Sequence, residues 1–195
     1  YDHIHILSSN AFQTASWYCI RFGFTIIATR GLTNGSRDLA SWVLKKGDIT
    51  FVISSPLQPT DTVYAPQIAI SGDHVHDVSF AVADVEALYE KAIERGAVSV
   101  HGPQHLSDEN GEVIIAKIKT YGNVNHTFIQ RNNYKGAFIP GFVPYTKEQD
   151  PVLRLLPDTK LELVDHIVGN QCNNEMEGIV EWYERVLDFH RFWSV

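Results

Sequence analysis

The chain repeats itself, and that limits its fold more than any other feature. Its opening, "YDHIHILSSNAFQTASWYCIRFGFTII", is answered near its end by "VDHIVGNQCNNEMEGIVEWYERVLDFHRFW". Asp2-His3-Ile4 matches Asp165-His166-Ile167, and Trp17-Tyr18 matches Trp182-Tyr183. Gly23-Phe24 matches Asp188-Phe189, each pair beginning six residues after its tryptophan. A further, weaker copy begins at "HDVSFAVADVEALYEKAIERGAVSV", residues 76–100. Such self-similarity means one supersecondary unit used several times, with neighbouring units burying each other's apolar faces.

Each copy has the same grammar. A short apolar strand comes first, then a capped helix. Asp84 suits an N-cap, with Val85, Leu88, Ala92 and Ile93 forming the apolar stripe behind it. Near the end, Asn174 and Glu177 have capping-box spacing, followed by Met176, Ile179, Val180 and Leu187 on one helical face. Gly23 and Gly96 are placed to end the first two helices, because glycine enters the left-handed region cheaply. Strands follow, joined by "TNGS", "KKGD" and "ENGE", where glycine or Asn-Gly accepts positive φ. "ASWVL", "ITFVISS", "VIIAKIKTY" and "HTFIQR" have the β-branched and aromatic content of strands. The unit is therefore β-α-β-β-β, and the expected fold is α+β: a curled mixed sheet with helices outside.

Two complete units fill residues 1–134, and another begins near 161. Between them, residues 135–160 contain Pro140, Pro144, Pro151 and Pro157, which exclude a regular helix or central strand. That stretch reads as an interdomain linker, and 161–195 as the start of a further domain. A loop over 54–76 is too long for a hairpin. Tyr1 is not a natural start, the only methionine is Met176, and "HRFWSV" stops without a turn, so a fragment of a longer protein is expected.

Charge narrows the function classes. The net charge of −7 argues against a nucleic-acid partner, which needs a basic face. No run is long enough for a membrane helix. Cys19 and Cys172 lack framework or C-x-x-C spacing, which fits free thiols in a reducing cytoplasm. "GLTNGS" is a turn rather than a phosphate loop, and no Gly-x-Ser-x-Gly elbow occurs.

The tandem grammar resembles the vicinal-oxygen-chelate (glyoxalase-like) superfamily. "YCIRFGF", "RGLTNGSRD", "KTYGNVNHTFIQR", "YKGAFIPGF" and "LVDHIVGNQ…EWYERVLDFHRFWSV" resemble the 4-hydroxyphenylpyruvate dioxygenase family along the whole chain. The resemblance implies that 1–134 is a non-catalytic N-terminal domain and that 161 onward opens the catalytic one. It implies an Fe(II) enzyme that converts 4-hydroxyphenylpyruvate and O₂ to homogentisate and CO₂ in tyrosine catabolism, with one iron per full-length subunit. A homo-oligomer is expected at full length. Two histidines and one carboxylate on one face of Fe(II) leave positions for an α-keto acid and O₂. By this resemblance His166 is the first iron-binding histidine. The second histidine and the glutamate fall beyond the chain, so stable iron binding and catalysis by these residues alone are not expected. Rival readings are 4-hydroxymandelate synthase, which takes the same substrate, and a metal-free ligand-binding protein of the same superfamily.

Within the first two units, His3 stands where His166 does, and Asp77 and Thr127 stand where the other ligands would fall. That set is a poor iron site and implies a duplicated domain without its metal. Strand alternation predicts that Asp165 and His166 point to opposite faces and do not pair. His3-x-His5 and His74-x-His76 each share a strand face but lack a visible third ligand. His101 and His105 flank Pro103 in a loop-like stretch, and His126 begins a strand; none is assigned chemistry. Met176, Ile179, Phe192, Trp193 and Val195 are expected to be partly exposed, and 161–195 loosely held.

Overall fold

Inward and outward side chains alternate along the strands, and that alternation builds the sheet. In the computed structural model, which describes residues 1–192, the first unit is β1 (His3–Leu7), α1 (Ala11–Phe22), β2 (Thr25–Arg30), β3 (Leu39–Lys46) and β4 (Ile49–Pro56). A short helix, α2 (Ala65–Ser71), crosses to the second unit: β5 (His74–Ala81), α3 (Val85–Glu94), β6 (Val98–Asp108), β7 (Gly111–Lys119) and β8 (Asn125–Gln130). The nine-stranded sheet runs β6-β7-β8-β5-β1-β4-β3-β2-β9, where β9 is Val143–Pro144. β1 pairs parallel with β4, β5 pairs parallel with β8, and the units meet where β1 runs antiparallel to β5. The expected curled mixed sheet with outer helices is the observed one.

Leu44 and Ile53 turn to one face and pack under Ala11, Ala15 and Cys19 of α1. Ala116, Ile118 and Phe128 pack under Val85 and Ala92 of α3. Asp84 and Gly23 act as expected, and Asn10, which was not anticipated, caps α1. Asn10 accepts from Gln13 N at 3.1 Å, and Asp84 accepts from Ala87 N at 2.9 Å. Gly23 closes α1 at φ +73°. Gly47, in the β3–β4 turn at φ +56°, is required twice over: a Cβ there would lie 2.6 Å from the Glu162 carbonyl oxygen.

The stretch 135–160 is irregular but docked. Phe138 is buried against Ala28, Val43 and Val52. Gln149 bonds both the N–H and the C=O of Ile26, as a strand would. Residues 151–155 form a single short 3₁₀ turn.

Several expectations fail. The stretch 54–76 is not all loop: Asp61 accepts from Tyr64 N and Ala65 N and opens α2. Pro103 does not break the chain into a loop; it sits at a register shift in edge strand β6, where a missing N–H costs no ladder bond. Residues 161–171 form no strand, because their copy has no β-partner among the described residues and a strand cannot satisfy its backbone alone. The Asn174–Glu177 capping box is absent: Asn174 is left-handed at φ +67°, and α4 (Met176–Leu187) starts without a side-chain cap.

α4 is nevertheless anchored. Val186 is 1% exposed in the second unit's core, and Trp182 and Leu187 pack there. Asp188 ends α4 at φ +54°, the conformation Gly23 takes in the first copy, with Lys91 Nζ at 2.6 Å and Arg95 Nη1 at 2.5 Å. So, among the described residues, 161–171 is irregular yet touches the first unit through Glu162 and Val164, and 176–187 is docked on the second. Met176 and Phe192 are exposed and Ile179 half-buried. Trp193 and Val195 lie outside the described residues.

Candidate functional site

His166 lies on an extended, irregular segment with its side chain 73% exposed. Asp165 Oδ2 is 2.6 Å from its Nδ1. The expected separation of the pair fails, and it fails in the laddered copy too, where Asp2 Oδ1 lies 2.7 Å from His3 Nδ1: in each copy the carboxylate folds back to the neighbouring imidazole. No group of three His, Cys, Asp or Glu residues able to hold a metal exists among the described residues. His166 alone does not supply a facial triad.

The corresponding position in the complete half is very different. His3, Asp77 and Thr127 are brought together by register. His3 faces Ser79 across β1–β5, Ser79 faces Thr127 across β5–β8, and Thr127 faces Lys117 across β8–β7. Period-2 alternation puts this row on the sheet face opposite the helices. Asp77, 1% exposed, accepts from Ser79 Oγ at 2.7 Å on one oxygen. Its other oxygen accepts from Thr127 Oγ1 at 2.7 Å and lies 3.2 Å from Lys117 Nζ. His3 Nε2 is 3.0 Å from Ser79 Oγ, and its Nδ1 is 2.7 Å from Asp2 Oδ1.

Burial works to raise the Asp77 pKa. Lys117 and the two hydroxyls outweigh it and hold the carboxyl below its ordinary value. His5 is driven well below its usual pKa, first by burial and then by Lys117. His76 falls to about 4 for the same two reasons. A cation site needs spare negative donors. Here the one carboxylate is committed to an ammonium and two hydroxyl donors. Lys117 occupies the electrostatic place of a metal, which explains why this half is a poor cation site. Sequence reasoning missed Lys117, whose only signal was a charge within "VIIAKIKTY".

The wall opposite this row comes from the irregular stretch. Arg131 Nε and Nη2 each donate to Asp2 at 2.8 Å, Nη1 donates to the Phe138 carbonyl, and the guanidinium lies 5.2 Å from the Phe138 ring centroid. This latch seats Phe138 over the sheet. His126, assigned no chemistry from sequence, is buried and lies 2.8 Å from the Tyr183 hydroxyl, joining β8 to α4.

A family model, described as the glyoxalase/bleomycin resistance protein/dioxygenase superfamily, matches residues 1–121. The chain belongs to that superfamily. Within it, a relative from Tetrahymena thermophila named 4-hydroxyphenylpyruvate dioxygenase is 49% identical over 100% of this chain and 49% of its own length. One of the same name from Aspergillus fumigatus is 44% identical over 100% of the chain and 52% of its length. The chain thus spans about half the length of the curated relatives it matches. Among solved structures, a triple-substituted 4-hydroxymandelate synthase from Streptomyces coelicolor aligns with TM-score 0.83 at 21% identity, covering 100% of this chain and 54% of that one. A methylmalonyl-CoA epimerase aligns with TM-score 0.57 at 19% identity, covering 69% of this chain and 95% of that one. Those two likenesses are of superfamily fold. No helix among the described residues is long and apolar enough to cross a membrane.

Proposed function

We propose that this chain is part of a 4-hydroxyphenylpyruvate dioxygenase, a non-haem Fe(II) enzyme that converts 4-hydroxyphenylpyruvate and O₂ to homogentisate and CO₂. The observation that carries it is the 49% identity across the whole chain to a relative of that name, with 44% to a second. The division into a non-catalytic half at 1–134, a linker at 135–160 and the opening of a catalytic half at 161–195 belongs to the same reading. Asp77's commitment to Lys117 supports it, because a site so closed to cations leaves the metal to the other half. We assign His166 as one iron ligand, on its correspondence with His3 in the repeat and on the family resemblance. The exposure of its side chain supports that role, since its remaining ring nitrogen is free to meet ligands from residues beyond 195. A cytoplasmic location accords with the two free cysteines.

The test uses the longer protein. His166→Ala should lose bound iron, measured by metal analysis, and should lose homogentisate formation, while the fold of 1–134 persists by circular dichroism. Retained iron and turnover would sink the ligand assignment. Product analysis on the wild type separates homogentisate from 4-hydroxymandelate.

A further inference from the structure

The face of the sheet that carries Lys117 bounds a cavity of about 330 Å³. That volume lies in the range of small-molecule pockets, roughly 300–1,000 Å³. Its lining mixes two chemistries. Val52, Ile129, Phe138 and Phe142 are apolar, and His5, Ser41, Ser54, Lys117 and Thr127 are interleaved with the first two on the sheet. Tyr64, Arg30 and Asp38 also line it. Apolar surface set with a few polar groups is what a small amphiphilic ligand requires.

The polar groups select the sign of the ligand. Ser54 Oγ is already engaged by His5 Nε2 at 2.8 Å and Ser41 Oγ at 2.7 Å. Thr127 spends its proton on Asp77. Lys117 differs. Its ammonium carries three donors, and among the described residues its ionic contact is with Asp77 alone, at 3.2 Å. Its side chain is one-fifth exposed, and it lines the cavity. Arg30 is a second cationic group on the lining, which also carries Asp38, and Asp77 lies behind Lys117. A carboxylate would accept charge-assisted bonds from Lys117 in a partly desolvated setting, where they are strongest.

The apolar lining is preorganised. Phe138 packs edge-on to His3 and to Phe142, at 5.0 Å in each case. Arg131 holds its carbonyl and its ring, and Asp2 holds Arg131. Such a wall loses little freedom when a ligand arrives, which favours binding.

We propose that this cavity binds a small carboxylic acid with an apolar, preferably aromatic, body, its carboxylate on Lys117 and its body against Phe138 and Phe142. His166 takes no part, so this site and the iron reading stand or fall separately.

The probe is phenylacetate, titrated into the 195-residue chain by calorimetry, with NMR shift mapping to locate it. Binding at roughly millimolar concentration or below is expected, with shifts on Phe138, Phe142 and Ile129. Phenylacetamide, the neutral isostere, should bind about tenfold more weakly or worse. Because Lys117→Met alone strands a buried carboxylate, the informative variant is Asp77→Asn with Lys117→Met, which removes both charges. It should bind phenylacetate about tenfold more weakly while regaining at least half of the stability that Lys117→Met alone loses. His166→Ala should bind as wild type does. The proposal is overturned by no binding at those concentrations, by equal affinity for the amide, by unchanged affinity in the double variant, or by shifts that map elsewhere.

Discussion

Lys117→Met tests the electrostatic account of the inner face of the sheet. Asp77 is 1% exposed and, among the described residues, Lys117 is its one ion-pair partner, at 3.2 Å. Removing one partner of a buried pair costs about 3–5 kcal/mol, because the other charge is left uncompensated. Two features moderate the cost: Ser79 and Thr127 still donate to Asp77, and the Lys117 side chain is one-fifth exposed. We expect a loss of about 3 kcal/mol at pH 7 by urea denaturation, a large share of a domain stability of roughly 5–15 kcal/mol. Asp77→Asn in the Lys117→Met background should restore at least half of it, since the stranded charge is gone. The pH dependence has a definite sign. In the wild type the Asp77 pKa is depressed, so its stabilising contribution is present above the ordinary carboxylate pKa and is lost as pH falls through the lower folded value. In Lys117→Met, burial acts without its counterweight and raises that pKa. The penalty should therefore shrink as pH falls from 7 towards 5, where the carboxyl takes up a proton and no charge remains buried. A penalty below about 1 kcal/mol at pH 7, or one that grows on acidification, would refute the reasoning.

Two other perturbations probe the rest of the molecule. The depressed pKa values of His5 and His76 mean that both are neutral in the folded state while the unfolded chain protonates near pH 6.5; stability should fall as pH drops from about 6.5 to about 4. His76→Gln should flatten that urea-midpoint profile, and a profile already flat across this window in the wild type would contradict it. Val186→Ala should cost about 2 kcal/mol in the docking of α4, from two lost methyl groups and the space they leave. Hydrogen exchange over 176–187 should accelerate while β1 and β5 keep their protection, and equal loss in all three would show that α4 is not a separate unit.

The parts of this fold legible in the sequence are those fixed locally. Asp84 caps α3 and Gly23 ends α1 because capping and left-handed geometry depend on a few adjacent residues. The repeat carried the architecture further, since one unit's pattern implies the next. What could not be read locally depended on distant partners. The strand expected to open the last copy, near 161, has the right residues but no neighbour to pair with among the described residues, and it does not form. Asp165 and His166 meet as Asp2 and His3 do, because a short carboxylate can reach back to the next imidazole whether or not a ladder is present. Pro103 looked like a strand breaker, yet only its edge position in the sheet decides its effect. The Asn174–Glu177 spacing was correct for a capping box, but Asn174 adopts φ +67° and the helix begins after it.

Lys117 shows why the site was harder to read than the fold. Along β7, Lys117 and Lys119 are two positions apart and alternation gives them the same face; Lys119 ends exposed while Lys117 sits over Asp77. Nothing in "VIIAKIKTY" separates them. The difference is made by the β7–β8–β5 register, which sets Lys117 beside Thr127 and Thr127 beside Ser79. His3, Asp77 and Thr127, grouped from the sequence, do come together on one face of the sheet. The repeat could not show that an ammonium from a fourth strand had already met the carboxylate. A single lysine is enough to change what such a site accepts, because a carboxylate committed to a cation repels no anion and recruits no metal. On that ground the proposed iron site and the proposed carboxylate site would use corresponding positions of the repeat in opposite ways, and Lys117 would be the residue that sets them apart.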